Sequence, residues 1–407
     1  MSENLPPGPP LPSLVQAALM AGYWPRFVAA CRRRYGKVFT VRIASVGTVV
    51  YIDDPDDIKT VFAGDPAVYH AGEANSMLAG LLGTSSVLVI DEDLHRDRRK
   101  LMLAPFQQKA VAAHTGLMAD IAARDIARWP VGQEFPVAPR MSEITLEVIL
   151  RIVVGADDPS RLAALQEILP KLLTVNNWDM LAFAKPELQQ RRPWRAVRRH
   201  MEAANRLLYA EIADTRSDPD LAGRGDALAM LVRAADEHGR SMTDRELRDQ
   251  LMTLLVAGHD TTATGLSWAL ERLTRHPTAL AKAVAAADAS AAGDPSGDDY
   301  LDAVCKETLR VRPVVFDIGR VLTRPVDLAG YRLPAGVMVA PGAGLVHANP
   351  SLYPNPERFE PDRMLGAHLS PTTWLPFGGG NRRCLGATFA LTEMRVVLRE
   401  ILLRVDL

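Results

Sequence analysis

Phe377-Gly378-Gly379-Gly380-Asn381-Arg382-Arg383-Cys384-Leu385-Gly386 sets a cysteine in a glycine-studded loop just ahead of a helical run. Consecutive glycines let the backbone turn tightly and approach a flat partner closely. The two arginines immediately upstream favour thiolate over thiol and suit an anionic partner. An isolated cysteine at a helix start reads as an ordinary small, half-buried residue. Cys31 and Cys305 read that way. Only Cys384 has a setting that offers its sulfur to something.

Working outward, the 407-residue chain is 48% hydrophobic and 23% charged, a soluble-globular composition with room for a large core. A formal net charge of -1 argues against nucleic-acid binding, which asks for a basic excess. Three cysteines form no disulfide framework, so a reducing, cytoplasmic setting is expected. The apolar stretch from Leu14 to Ala30 is interrupted by Gln16, Gly22, Pro25 and Arg26. That is too broken to span a bilayer, so no membrane anchor is expected; Tyr23, Trp24, Arg26 and Phe27 would also suit a surface, but the stretch reads first as a core-packed amphipathic helix.

Val38 to Ile43 and Thr48 to Ile52 alternate as two strands about a turn near Gly47. Asp54-Pro55 opens a short helix toward Phe62. From Ala63 to Ser86 the chain is rich in Gly, Ala and Ser, with Met77, Leu78, Leu81 and Leu82 scattered through it. This predicts a long mobile loop of the kind that covers a ligand. Helical periodicity then dominates from His95 to Trp268. The longest run opens at a cap region, Ser241 to Glu246, and reaches His276-Pro277. Strand-like text returns from Val321 to Ala340, with a tight turn at Pro334-Ala335-Gly336. The expected fold class is mainly α (α+β): one domain over 1–407, a helical bundle with a small β-rich lobe built from sequence-distant pieces.

The long helix carries Ala257-Gly258-His259-Asp260-Thr261-Thr262 between apolar residues. Glycine in mid-helix costs about 1 kcal/mol relative to alanine, and threonines weaken helices further. Such a spot marks a kink or a close approach of ligand to backbone. An acid–alcohol pair there also reads as side chains bonded back onto their own helix. His95 and Arg99 share a helix face at i and i+4, and Arg320 opens a strand. Glu307 and Arg310, at i and i+3, read by themselves as a surface pair.

The cysteine loop resembles the haem-binding loop of the cytochromes P450, in which Phe, Gly, Arg, Cys and Gly recur at the spacing of Phe377, Gly380, Arg382, Cys384 and Gly386. The other motifs follow in that family's order: His95/Arg99, Asp260/Thr261, Glu307/Arg310, Arg320, Arg363, then Cys384. The resemblance implies the haem-thiolate monooxygenase fold, with haem b between the long central helix and the helix after the cysteine loop. It implies Cys384 as the axial thiolate, which favours O–O cleavage. Phe377, Gly378, Gly386, Ala257 and Gly258 would line the cofactor, the last two leaving room above the iron. His95, Arg99, Arg320 and Arg382 would hold the propionates. Asp260 would feed protons and Thr261 would hydrogen-bond dioxygen and hold a water. Arg363 would join Glu307 and Arg310 in a buried structural set, with Met364 where a phenylalanine is usual.

The implied activity is insertion of one oxygen atom from O2 into an apolar organic substrate. Electrons would come from NAD(P)H through a ferredoxin or flavodoxin with its reductase, and the protein is expected to be a monomer. Arg96, Arg98, Lys100, Arg383 and Arg395 are candidates for steering an acidic donor. Candidate substrate contacts are Ala71–Ser85, Asn176–Ala184, Leu254–Ala257 and Val314–Ile318, with Asp317 an acid among apolar neighbours. Two alternatives stay open, a haem-thiolate gas sensor without turnover and a peroxide-driven variant. After Cys384 the chain has 23 residues, enough for one helix from Leu385 to Arg404. The resemblance implies a terminal strand and hairpin beyond that, and the chain stops where they would start.

Overall fold

A computed structural model describes residues 5–44, 46–156, 158–173 and 194–407. They form two compact units, Met1–Asn75 with Glu307–Cys384, and Ser76–Lys306 with Leu385–Leu407.

The first unit holds a mixed sheet of β1 (Val38–Ile43), β2 (Gly47–Ile52), β3 (Tyr69–His70), β4 (Arg320–Leu322) and β7 (Met338–Pro341). A separate hairpin pairs β5 (Val326–Leu328) with β6 (Tyr331–Leu333). The order is β1-β2-β7-β4-β3. β1 and β2 close as the predicted hairpin, Ile43 opposite Gly47, and β2 runs parallel to β7 from far along the chain. Because side chains alternate along a strand, β2 serves two cores. Val49 and Tyr51 pack with Phe39, Val41 and the Ser13–Tyr35 helix residues Met20 and Val28. Val50 and Ile52 pack with Ile58, Phe62, Leu322, Val346 and Leu375. The Pro55–Ala63 helix starts on Asp54, whose carboxylate accepts from the Asp56 amide at 3.1 Å.

In the second unit the long helix runs unbroken over Asp244–Thr274. Its start is a reciprocal cap: the Glu246 amide donates to Thr243 Oγ1 at 3.3 Å, and the Thr243 amide donates to Glu246 at 2.8 Å. It packs against the Val137–Ile149 and Ala387–Leu402 helices. The last of these matches the helix expected after the cysteine loop, and Pro159–Leu173 is helical as read.

The segment expected to be a mobile loop differs. It forms short helices, Ala71–Ala74 in the first unit, and Ser76–Leu78 and Ala79–Leu82 in the second. The chain after them is pinned to the long helix. Asp249 accepts from the Ser85 amide at 3.0 Å, and Gln250 accepts from Val87 at 2.9 Å while donating to Ser85 O at 2.7 Å. Thr253 Oγ1 donates to Ser86 Oγ at 2.6 Å. A Cβ on Gly83, at φ +95, would lie 2.1 Å from the Asp249 carboxylate. The small residues that suggested mobility allow this close approach instead.

Candidate active site

The cysteine loop is shaped by two left-handed glycines, Gly378 at φ 62 and Gly380 at φ 67. Between them Gly379 is extended, and a Cβ there would lie 2.2 Å from the Phe62 ring. One on Gly380 would meet the Phe62 carbonyl oxygen at 2.1 Å. The loop therefore lies flat on the end of the Pro55–Ala63 helix. The Arg383 amide donates to Gly380 O at 3.1 Å and the Cys384 amide to Phe377 O at 2.9 Å, which closes the loop on itself. Cys384 ends it as an exposed, reduced thiol, whereas Cys31 and Cys305 are buried. Phe377 meets Trp374 edge to face at 5.7 Å. Arg320 is buried, its guanidinium 5.8 Å from the Phe62 ring centre and donating to Gly319 O at 2.9 Å. Within this unit Phe62 thus joins Arg320 to the cysteine loop, a pivot the sequence did not advertise. Arg382 is half-buried.

Support for the loop comes from the expected acid–arginine set. Glu307 and Arg310 are almost wholly buried and paired through two bonds, 2.7 and 2.8 Å. Arg363 reaches Glu307 at 3.1 Å. Met364, next to Arg363 in the chain, is buried. Arg310 also donates to the carbonyls of His347, Pro356 and Arg358 at 2.9, 2.8 and 3.0 Å. His347 continues the chain, its Nε2 accepting from the Leu375 amide at 2.9 Å, and Leu375 O accepts from Gly378 at 3.0 Å. Burial, then the Arg310 charge, pulls the His347 pKa down to about 3, so the ring is neutral at ordinary pH and Nε2 is its acceptor. His347 escaped the sequence reading because nothing nearby in the chain marks it.

In the second unit the hexapeptide of the long helix splits into two faces. His259 is buried, within hydrogen-bond distance of Ser142 (3.2 Å) and Thr145 (3.1 Å) on the Val137–Ile149 helix. Burial lowers its pKa. Ala257 and Asp260 are exposed and Thr261 is half-buried on the other side. The helix is continuous through this stretch. Thr261 Oγ1 donates to Ala257 O at 2.7 Å and Thr262 Oγ1 to Gly258 O at 2.9 Å. A Cβ on Gly258 would lie 2.2 Å from Ile149 Cδ1, so the space that the glycine leaves is filled by the neighbouring helix. Gly258→Ala should therefore destabilise by about 1–3 kcal/mol, the usual range for overpacking. Ile149→Val in the same chain should restore most of it in urea unfolding.

His95 is buried and Arg99 half-buried on the Glu92–Met102 helix, sharing a face as read. Gly386 caps the Ala387–Leu402 helix at φ -84, a conformation open to any residue. Of the donor-steering candidates, Arg98 is buried against Glu246, and Arg395 is ion-paired with Asp298 at 2.7 Å. Both are architecture, whereas Lys100 and Arg383 are exposed. Asp317 is half-buried and accepts from Tyr51 OH at 2.5 Å. Burial pushes its carboxyl up to about 7, against the pull of hydrogen bonds from Tyr51 and Trp24. A Cβ on Gly378 would lie 3.8 Å from the neighbouring Ile318, whereas the Asp317 carboxylate is taken up by Tyr51 and Trp24. The candidate substrate stretch Asn176–Ala184 lies outside the described residues.

Comparison with known proteins gives this arrangement its context. The family model described as Cytochrome P450 matches residues 6–407. A Mycobacterium tuberculosis protein with the provisional name cytochrome P450 135B1 is 70% identical over 406 residues, 100% of this chain and 86% of that protein. Another from the same organism, provisionally cytochrome P450 135A1, is 39% identical over 99% of this chain and 89% of its own length. Among solved structures, the retinoic-acid-bound cyanobacterial CYP120A1 matches with a TM-score of 0.85 at 25% identity, covering 98% of this chain and 92% of its own. The cytochrome P450DA haem domain matches with a TM-score of 0.83 at 26% identity, covering 98% and 90%. The mainly helical architecture with its small sheet is thus the P450 fold, and among the described residues no helix is long and apolar enough to cross a membrane. A match along nearly the whole chain, with relatives this alike over this length, places the chain in the cytochrome P450 family, the haem-thiolate monooxygenases.

Proposed function

We propose that the protein inserts one atom of dioxygen into an apolar organic substrate, with Cys384 as the thiolate ligand of a haem b and electrons supplied by a separate ferredoxin or flavodoxin system. The observation that carries this reading is the exposed Cys384 thiol at the end of a loop that glycines press flat onto Phe62. The donor set fits the cofactor: one soft thiolate for iron, with Arg320 and Arg382, and His95 and Arg99, as cationic or donor partners for two propionates. Bound haem supplies oxygen activation, which a cysteinate promotes.

The chain's own residues then have distinct tasks. Arg382 and its neighbour Arg383 favour the thiolate form of Cys384. The Glu307–Arg310–His347–Leu375 chain holds the loop in position. Thr261 carries the hydroxyl that holds a proton near the reacting oxygen, and Asp260 resupplies it from the exposed side of the helix. Thr261 Oγ1 donates to Ala257 O, so taking up this role means releasing that bond.

Thr261→Ala separates turnover from sensing and from peroxide use. Proton delivery by a positioned group is typically worth about a hundredfold or more in rate. In the variant, NAD(P)H and oxygen should still be consumed, product per NAD(P)H should fall by about tenfold or more, and peroxide should accumulate. Unchanged coupling would remove Thr261 from the mechanism. No oxygen uptake by wild type across a panel of apolar substrates, with competent redox partners, would favour the sensor.

A further inference from the structure

We infer that the N-terminal helix of the first unit is a docking face for the surface of an anionic lipid bilayer. Five of the sixteen large apolar side chains that stand exposed among the described residues lie between Leu11 and Trp24. Leu14 is 74% exposed and Tyr23 60%, on a helix that elsewhere buries Gln16, Met20 and Val28. Leu14, Val15 and Ala18 lie near the start of the helix and are all exposed, so they form one outward apolar patch, with the exposed Leu11 just ahead of the helix.

The patch is held in place. Gln16 donates to Pro9 O and Leu11 O and accepts from the Arg42 amide, while the preceding chain bonds to β1 through Thr40, at 2.9 Å to Pro7 O and 2.7 Å to Pro6 O. The helix breaks its geometry at Tyr23, with φ -140 and ψ 30, just before Trp24-Pro25. Trp24 is tied at one end to Asp317, lies 6.2 Å from Phe316, and leaves 37% of itself exposed. Val315, beside that pair in sequence, is 46% exposed. An amphipathic ring anchored at its polar end suits a water–lipid boundary.

Charge selects the partner. From Leu5 to Ile52 the chain has Arg26, Arg32, Arg33, Arg34, Lys37 and Arg42 and no acid, although the whole chain carries a net -1. Arg32 and Lys37 bond to Asp53 and Asp54, whereas Arg26, Arg33 and Arg34 are exposed. An apolar patch with aromatic residues and arginines further along the same helix matches an anionic bilayer surface, and neither signal alone gives stable attachment.

The test is cosedimentation of the haem-loaded protein with phosphatidylglycerol vesicles and with phosphatidylcholine vesicles at low and physiological salt. Binding should favour phosphatidylglycerol by at least about tenfold and weaken with salt. Arg33→Ala with Arg34→Ala should lower partitioning by about tenfold or more, and Leu14→Gln with Val15→Gln by a similar factor. Val131→Gln, at a residue 96% exposed elsewhere, should change nothing. An unaltered Soret band would certify the fold of each variant. Failure to bind phosphatidylglycerol vesicles at low salt, or wild-type binding by the Leu14/Val15 pair, overturns the inference. So does a concentration-dependent dimer in vesicle-free sedimentation that the same pair dissolves, which would assign the face to a second copy.

Discussion

Cys384→Ser abolishes the strongly red-shifted Soret band that the reduced wild-type protein gives under carbon monoxide, and product formation is lost with it. A serine hydroxyl has nearly the cysteine's shape, so the loop should survive. Its turn depends on Gly378 and Gly380, its closure on the Cys384 amide bonded to Phe377 O, and its seat on Phe62. What changes is the donor. A thiol can give up its proton to become a soft, anionic ligand, which cationic neighbours favour, whereas an alcohol stays protonated and hard. No other thiol can substitute, because Cys31 and Cys305 are buried and burial pushes both thiols up in pKa. The variant should therefore melt within a few degrees of wild type while its reduced carbon monoxide complex absorbs at the ordinary position. A retained red-shifted band would mean that another residue ligates the iron, and the assignment of Cys384 would fall.

Much of this site was legible in the chain because its chemistry is local. Phe377 to Gly386 is one contiguous string, His95/Arg99 and Glu307/Arg310 are single helical spacings, and Asp260-Thr261 is a dipeptide. The β1–β2 hairpin, the reciprocal cap at Thr243 and Glu246, and the last helix were readable for the same reason. What escaped depends on residues far apart in sequence. Phe62 matters because Gly379 and Gly380 come to rest on it, and in the sequence it marks only the end of a short helix. Ile149 fills the space that Gly258 leaves, so a glycine that suggested ligand access has a packing reason. Ala63–Ser86 looked mobile by composition, yet Asp249 and Gln250 satisfy its backbone from the long helix and Thr253 holds the Ser86 hydroxyl. Glycine and alanine report the freedom to approach another backbone as much as the freedom to move. The N-terminal stretch was read as core-packed in preference to a surface reading of its aromatics and arginine, and how much of it stays exposed became visible only once the sheet claimed the other face.

Arg310→Ala should destabilise the protein by about 3–5 kcal/mol, the range for removing one partner of a buried ion pair. Glu307 is wholly buried, and the substitution leaves its carboxylate with Arg363 and the Glu360 amide, at 3.1 and 3.0 Å, in place of two short guanidinium bonds. Three carbonyls, those of His347, Pro356 and Arg358, lose a charged donor in the same step. Because His347 in turn holds the Leu375 amide and Leu375 O the Gly378 turn, the damage should reach the cysteine loop. Haem retention should therefore fall at lower urea than the loss of helical circular dichroism, a gap that wild type does not show. Arg363→Ala should cost less, about 1–3 kcal/mol, since that side chain is partly exposed and Glu307 keeps its shorter bonds to Arg310. Equal effects from the two arginines, or an Arg310→Ala protein that holds haem as firmly as wild type, would show that the loop is positioned by its own glycines and Phe62 alone. The predicted order, Arg310 above Arg363 and haem loss ahead of unfolding, follows from one mechanical chain. It runs from a helix pair three residues apart to a thiol 74 residues later in sequence.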